Sequence, residues 1–227
     1  MWKDDGELFS LMKSKLYTAV VGDILDVLGF QHQFLPPAVK PVDCSMLVAG
    51  RAMPVLEADY FTGDVKGPGP LNDRAFGLMF HALDDLKKDE VYIASGSSPR
   101  YAMWGELMAT RARACGAAGA VVNGYYRDTN GILAIGFPTF GFGSYAQDQG
   151  PRGKVLDFRI PVEIEGVRIA PGDIIFGDRD GVLVVPRSVE KEVFHRALEK
   201  VSTENEVRTA IEGGMSTVAA FEHFGVM

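Results

Sequence analysis

The hydrophobic pattern of the chain is helical towards both ends and changes to short, strand-like runs in between. In TAVVGDILDVLG, residues 18–29, apolar side chains recur every three or four positions, which predicts a helix. Thr18 occupies the position of an N-cap, and Gly29 stands where a C-terminal cap belongs. From Ser188 onward, SVEKEVFHRALEKVSTENEVRTAIEGG predicts a charged amphipathic helix that ends at paired glycines.

Helices and strands alternate through the middle of the chain, and strands dominate its third quarter. The runs that predict strands are SMLVAGRAMPVLEA, VYIAS, AGAVVN and FPTFGFG, and GELMATRARACG predicts a helix between the second and the third. The segment VLDFRIPVEIEGVRIAPGDIIFGDRDGVLVVP predicts a β-meander with turns at PGD and RDG. This order favours an α/β protein with layered α/β/β/α packing over a doubly wound sheet. Because no repeat, low-complexity segment or long polar linker divides the sequence, we expect residues 1–227 to form a single domain.

Composition and charge restrict the classes of partner. With 47% hydrophobic and 23% charged residues, the 227-residue chain is typical of a globular protein with a real core. Its net charge of −7 disfavours binding to nucleic-acid backbone or to anionic membrane, which both require a basic face. No apolar run reaches the length of a membrane span, and the N-terminal segment MWKDDGELFSLMKSKL is too acidic for a signal peptide. The sequence therefore predicts a cytoplasmic protein without a membrane partner.

The cysteines, the histidines and the glycine-rich segment give no site by themselves. Cys44 and Cys115 lie far apart without a Cys-x-x-Cys pattern, which predicts two reduced thiols in the core and neither a disulfide nor a zinc site. The four histidines are scattered, with no two at metal-ligand spacing. The segment GFGSYAQDQG lacks the lysine of a P-loop and predicts a flexible loop.

A possible anion site does follow from two segments of the middle region. A helix is predicted to begin at about Gly105, so that the N–H groups of Leu107 and Met108 lie unpaired in its first turn, at the positive end of the helix dipole. Arg127 and Asp128 follow the strand AGAVVN, at the end where open α/β sheets usually carry ligands. The arginine can bind a carboxylate in a bidentate fork, and the aspartate can hold a hard divalent cation. A surface salt bridge or a turn cap would explain the same two residues, and spacing alone does not decide between these alternatives.

The segment WGELMATRARACGAAGAVVNGYYRDTNGILAIGFPTF resembles the family named for regulator of ribonuclease activity A. That family includes the class II 4-hydroxy-4-methyl-2-oxoglutarate and 4-carboxy-4-hydroxy-2-oxoadipate aldolases. Its core pattern is an acid, twenty intervening residues and then Arg-Asp, matched here by Glu106, Arg127 and Asp128. The likeness extends to TAVVGDILDVLG, VAGRAMPV, PGDIIFGDRDGVLVVP and FEHFGV, and thus to nearly the whole chain. The resemblance implies a swivelling-type, phosphohistidine-domain-like fold.

The resemblance also implies residue roles for an aldolase. Asp128 would be the direct ligand of a divalent metal, Mg²⁺ or alternatively Mn²⁺, and Arg127 would bind the 2-oxo group and the carboxylate of a small 2-oxo acid. The helix start at Gly105 would present the backbone N–H groups of Leu107 and Met108 to that carboxylate. Glu106 would hold or orient metal-bound water. Further acids would come from a neighbouring subunit of a trimer or a dimer of trimers, and Glu204 resembles such a position.

Two departures from the aldolase pattern affect substrate identity more than metal binding. Glu106 stands where aspartate is common, and Gly131 stands where the pattern has a second acid. The expected activity is cleavage of a 2-oxo acid such as 4-hydroxy-4-methyl-2-oxoglutarate, or decarboxylation of oxaloacetate, with release of pyruvate. The alternative is a non-catalytic protein that regulates a ribonuclease by contact, as founding members of the family do. Retention of the acid together with Arg127 and Asp128 favours the enzyme.

Overall fold

A computed structural model describes residues 2–60 and 69–226, and the helices and strands alternate along the chain much as the hydrophobic pattern predicts. The helices are α1 (Asp5–Lys15), α2 (Thr18–Val27), α3 (Met79–Asp85), α4 (Glu106–Ala114), α5 (Thr129–Ile135), α6 (Glu190–Glu212) and α7 (Thr217–Phe224). The strands are β1 (Lys40–Pro41), β2 (Val48–Asp59), β3 (Glu90–Ser95), β4 (Ala102–Trp104), β5 (Gly119–Val122), β6 (Tyr125–Tyr126), β7 (Thr139–Gly141), β8 (Gly153–Phe158), β9 (Val162–Ile164), β10 (Val167–Ile169), β11 (Ile174–Gly177) and β12 (Val182–Val185). Among these helices, none combines the length and the apolar character that crossing a lipid bilayer requires.

The main sheet has eight strands and mixes parallel with antiparallel pairing. Its order is β1-β7-β5-β3-β2-β11-β12, and β8 pairs with β2 as a side branch. Strands β2, β3, β5 and β7 run parallel to one another, so the chain leaves β3, β5 and β7 at the same edge. Two small separate pairs complete the strands: the hairpin β9–β10 and the parallel pair β4–β6. The parallel part of the sheet determines where the candidate site lies.

Both faces of the main sheet are buried, which explains the near-continuous apolar runs in its strands. Helices α1, α2 and α6 pack with β11 and β12 in one hydrophobic cluster. Helices α3, α4 and α5 pack with β3 and β5 in a second cluster. The opposite faces of the same strands form a third cluster with the hairpin β9–β10, so that Ile174 and Ile175, for example, belong to different clusters. The layers therefore follow the predicted order α/β/β/α.

The start of α2 differs from the prediction. Tyr17 is the N-cap residue, and Thr18 is the first residue of the helix instead of its cap. The carboxylate of Asp178, from the turn between β11 and β12, accepts hydrogen bonds from the Thr18 N–H at 2.7 Å and from its hydroxyl at 2.8 Å. A buried acid 160 positions along the chain thus supplies the cap that Thr18 was expected to provide.

The environment of the two cysteines also differs from the prediction. Both are free thiols, as expected, but Cys44 is exposed and Cys115 is only partly buried. Cys44 lies in the segment between β1 and β2, whereas Cys115 is the C-cap residue of α4 and packs against the second hydrophobic cluster. The placement of Cys44 in the core was therefore wrong, because the turn that carries it lies at the surface.

Strand β2 carries a buried acid. Glu57 is only 1% exposed, and neither carboxyl oxygen has a hydrogen-bond partner among the described residues. Burial disfavours the charged form and raises the pKa of Glu57 from 4.5 to about 8, although the nearby Tyr101 hydroxyl opposes part of this shift. The folded protein therefore holds the Glu57 proton at neutral pH.

Glu57→Gln should stabilise the fold at alkaline pH and have little effect at acidic pH. The folded-state pKa is raised, so the stability that the protonated group provides is complete below pH 4.5 and is lost as the pH rises towards 8. Glutamine has nearly the same shape and no proton to lose, so the variant should be more stable by roughly 4 kcal/mol at pH 8. Urea unfolding of both proteins at pH 5 and pH 8 measures the difference. The exposed Glu212→Gln is the control, and an equal gain at both pH values would contradict the prediction.

Candidate functional site

The predicted helix start is present and open. Strand β4 ends at Trp104, Gly105 is the N-cap residue, and α4 begins at Glu106 without a side-chain cap. The N–H groups of the first turn, including those of Leu107 and Met108, therefore have no partner within the helix. A Cβ atom on Gly105 would lie 2.9 Å from Asp128 Oδ2, so the glycine permits a close approach of the two segments.

A short parallel strand pair brings Arg127 and Asp128 to this helix start. Strand β6 pairs with β4, and the Arg127 N–H donates to the Trp104 carbonyl at 2.9 Å. Asp128 is the N-cap residue of α5 in a left-handed conformation with φ 57°, yet its side chain makes no capping hydrogen bond. The Asp128 carboxylate is 52% exposed and thus remains available to a ligand. The turn-cap explanation of this residue is therefore not supported.

The salt-bridge explanation is correct but incomplete. Arg127 Nε lies 3.7 Å from Asp128 Oδ2, and Arg127 Nη1 lies 2.8 Å from Asp148 Oδ1. The Arg127 side chain is 39% exposed, where such ion pairs contribute little to stability. The two pairs hold the guanidinium group between two carboxylates at the side of a cleft, so the charge is oriented and also accessible.

Glu106 lies directly over Gly131. A Cβ atom on Gly131 would approach Glu106 Cγ most closely and would lie 2.9 Å from its Cβ and 3.0 Å from its Cδ. The longer acid at position 106 thus occupies space that a side chain at position 131 would need. The glutamate at position 106 and the glycine at position 131 both depart from the aldolase pattern. The two departures are sterically linked, because Gly131 leaves room for the Glu106 side chain.

Two further residues at this site were missed by the sequence analysis. Asp148 and Gln149 belong to the glycine-rich segment after β7, which was expected to be only a flexible loop. Strand β7 lies parallel to β5, so the loop leaves the sheet at the same edge as Arg127. The sequence did contain a signal for this loop, because Asp148 is an acid in a loop that follows a parallel strand, where ligand-binding residues are common.

Most of these residues line one cleft of about 490 Å³, but Glu106 and Gly131 are not among its lining residues. Gly105, Leu107, Met108, Arg127 and Asp128 contribute to it, together with Asp148 and Gln149. Glu106 is half-buried beside Gly131, at the first turn of the same helix. The structure therefore brings Leu107, Met108, Arg127 and Asp128 to one cleft, but Glu106 is not part of its lining.

Glu204 lies elsewhere in the same chain. It belongs to α6, accepts a hydrogen bond from the Tyr17 hydroxyl, and lies beside Lys200. It lines a separate cleft between α2 and α6 that shares no residue with the cleft at Arg127. A role for Glu204 at a site of a neighbouring subunit stays a prediction.

The residues of the cleft are compatible with a magnesium ion. Among the described residues, no three Asp, Glu, His or Cys side chains converge in a ready-made metal cage. Magnesium does not require one, because it keeps several water ligands and is commonly bound through one or two carboxylates. The Asp128 carboxylate, which makes no capping hydrogen bond, is available as such a ligand, and Glu106 is the acid nearest in sequence to the open helix start.

Comparisons with known proteins report on the family of the chain. The chain matches the family model RraA-like, described as Aldolase/RraA, over residues 18–184. Protein DlpA of Legionella pneumophila is 30% identical over 208 residues, which are 91% of this chain but only 32% of DlpA. A protein of Halalkalibacterium halodurans, provisionally named 4-hydroxy-4-methyl-2-oxoglutarate aldolase, is 29% identical over 90% of this chain and 89% of its own length.

A solved structure supports the same assignment at the level of the fold. The crystal structure of Streptomyces coelicolor RraAS2 is described as that of an unusual member of the RNase ES inhibitor RraA family. It superposes with a TM-score of 0.77 at 22% identity, covering 92% of this chain and 100% of RraAS2. Because the family model matches well over half of the sequence, the chain belongs to the RraA-like family.

Proposed function

We propose that this chain is a divalent-metal-dependent lyase that cleaves a 4-hydroxy-2-oxo acid and releases pyruvate. Substrates of the type of 4-hydroxy-4-methyl-2-oxoglutarate fit this chemistry, and decarboxylation of oxaloacetate is expected as a related reaction. One observation carries the proposal. The oriented guanidinium group of Arg127, the Asp128 carboxylate, which makes no capping hydrogen bond, and the open N-terminus of α4 line one cleft. The name of the Halalkalibacterium halodurans relative supports it.

Four residues of the cleft, together with Glu106, have roles in this proposal. The first-turn N–H groups of Leu107 and Met108 bind the substrate carboxylate, and the Arg127 fork binds the carboxylate and the 2-oxo oxygen. Asp128 holds the cation, with Mg²⁺ as the first choice and Mn²⁺ as the second. When bound, the cation would polarise the 2-oxo group and stabilise the negative charge that develops as the carbon–carbon bond breaks. Glu106 orients a water molecule and exchanges a proton with the substrate.

A non-catalytic regulator of a ribonuclease is the second candidate function. Its support is the likeness to RraAS2, which at 22% identity concerns the fold alone. A protein that regulates a ribonuclease only by contact has no need for an oriented arginine beside an aspartate whose carboxylate makes no capping hydrogen bond. The contents of the cleft therefore favour the lyase.

Pyruvate release is the direct test of the lyase. Purified protein is incubated with oxaloacetate or 4-hydroxy-4-methyl-2-oxoglutarate, in the presence of MgCl₂, MnCl₂ or EDTA, and pyruvate is measured with a coupled dehydrogenase. We expect cation-dependent release above the uncatalysed rate. Equal rates with and without the protein for both substrates would contradict the proposal and would leave the contact regulator as the better candidate.

Membership of the family implies an oligomer, and we propose a trimer or a dimer of trimers. The candidate site would lie at a subunit interface, and Glu204 would reach it from the neighbouring chain. Light scattering on the purified protein should give the mass of three or six chains. A catalytically active monomer would contradict this assembly, because it would show a site that is complete within one chain.

Gly131→Ala is expected to reduce activity while preserving the fold. Alanine is a better helix former than glycine by about 1 kcal/mol, so α5 should persist. The new methyl group would displace Glu106 from its present position, and we expect kcat/KM for pyruvate release to fall roughly tenfold or more. Gly6→Ala in α1 is a matched control, since its methyl group would meet only Asp4 Oδ1 at 3.3 Å. Unchanged kinetics in Gly131→Ala would mean that the position of Glu106 is irrelevant.

A further inference from the structure

The cleft at Arg127 extends well beyond the residues that bind a 2-oxo acid. Its volume of about 490 Å³ lies in the range usual for small-molecule sites, and the three-carbon pyruvyl part of a substrate fills only a small fraction of it. The remaining wall is apolar and comes from α3, the residues before it and α4. Its side chains are Phe76, Met79, Phe80, Leu83, Leu107 and Met108.

The charges along the cleft favour an uncharged far end of the substrate over a second carboxylate. Of its two arginines, Arg127 already lies between two aspartates, and Arg111 Nε lies 2.8 Å from Asp84 Oδ1. The described lining thus contains two cations and three carboxylates, those of Asp84, Asp128 and Asp148. A negatively charged group at the far end of a substrate would find no unpaired cation among them and would meet Asp84.

Aromatic side chains in the apolar wall favour a substrate whose far end is itself aromatic. Phe80 is 57% exposed at the cleft, and its ring packs edge-on against Phe76, with the centroids 5.5 Å apart at 67°. An exposed edge-to-face pair of this kind can accept a further ring. Gln149 lines the same cleft, and its buried Nε2 has no hydrogen-bond partner among the described residues. That amide can donate a hydrogen bond to an uncharged substrate oxygen such as a hydroxyl.

We propose that the cleft selects 4-hydroxy-2-oxo acids whose far end is uncharged and apolar, in particular aromatic; this rests on the lyase proposed above. With a phenyl group on C4, the C3–C4 bond breaks and the 4-hydroxyl group gives up its proton. C4 leaves as the aldehyde carbon of benzaldehyde, while C3 retains the electron pair and takes up a proton to complete the methyl group of pyruvate. No oxidant or further reactant is required.

A matched pair of substrates tests the preference. Pyruvate release is measured from 4-hydroxy-2-oxo-4-phenylbutanoate and from 4-hydroxy-2-oxoglutarate, which carries a carboxylate in place of the phenyl group, with oxaloacetate as a third substrate. We expect kcat/KM to be at least about tenfold higher for the phenyl compound, a factor that equals 1.4 kcal/mol. Release from the other two substrates without this preference would overturn the inference and leave the lyase standing. Release from none of the three would overturn the lyase itself.

Variants of two comparably exposed phenylalanines locate the preference. Phe80→Ala should lower the ratio of kcat/KM values, phenyl over carboxylate, at least fivefold. Phe221→Ala, at a side chain 56% exposed on α7, should leave the ratio unchanged. Calorimetry measures the same preference as a difference in binding affinity. Its ligands are 2-oxo-4-phenylbutanoate and 2-oxoglutarate, which lack the 4-hydroxyl group. If light scattering shows that Phe80→Ala forms a smaller assembly than the unsubstituted protein, the wall is an interface between copies and the inference is wrong.

Discussion

Asp128→Asn should remove divalent-cation binding and lower the rate of pyruvate release by about a thousandfold or more. The substitution takes one negative charge from a hard-cation ligand while keeping nearly the same shape. A bound cation contributes several kcal/mol to stabilising a charged transition state, and each 1.36 kcal/mol is a factor of about ten in rate. Asparagine tolerates the left-handed conformation that the backbone has at φ 57°, so the fold should survive.

Calorimetric titration with MgCl₂ and MnCl₂, together with the pyruvate assay, distinguishes a metal ligand from a merely structural aspartate. Asp84→Asn is the matched control, because Asp84 lines the same cleft but pairs with Arg111. We expect Asp84→Asn to retain the cation affinity of the unsubstituted protein. Equal affinity in Asp128→Asn would exclude Asp128 as the ligand, since nothing else in the substitution would compensate for the lost charge.

Arg127→Lys should lower kcat/KM by roughly a hundredfold while leaving cation binding intact. Lysine keeps the positive charge but loses the planar fork that binds a carboxylate and a neighbouring oxygen at once. It also loses the geometry that places one nitrogen 2.8 Å from Asp148. Steady-state kinetics with oxaloacetate report the loss, and calorimetry with MgCl₂ checks that the cation site remains.

The control for this variant is Arg111→Lys, at the other arginine of the cleft. Among the described residues, Arg111 makes a single ion pair, with Asp84 through Nε, and this pair needs no fork. We expect a much smaller change in kcat/KM for this variant. Comparable losses in both variants would mean that positive charge along the cleft, and not the fork of Arg127, determines substrate use.

The sequence predicted those parts of the fold that are determined by local pattern. The periodic spacing of apolar residues predicted α2, α4, β2, β3 and β5, because each of these elements packs one or both faces in a hydrophobic cluster. The position of Arg127 and Asp128 followed from the end of β5, since parallel strands leave a sheet at one edge. Family membership, expected from the same motifs, is confirmed by the family model.

The features that sequence reasoning missed depend on contacts between distant segments. Strands β4 and β6 have three and two residues, too few for any pattern, and they exist because they pair with each other. The cap that Asp178 gives to Thr18 joins residues 160 positions apart. The ion pair of Asp148 with Arg127 likewise depends on the path of the loop after β7. Such contacts leave no periodic signal along the chain.

The backbone hydrogen bond between Arg127 and Trp104 has a consequence for the entropy of binding. One residue separates β4 from α4, and two residues separate β6 from α5, so the β4–β6 pair connects both helix starts through one short bridge. Trp104 is buried and lies 4.9 Å from the Tyr92 ring, which attaches that bridge to the core of the protein. The first turn of α4 and the backbone of Arg127 are thus held in place before any ligand arrives. A substrate that binds there loses its own freedom of motion but has little protein disorder to remove.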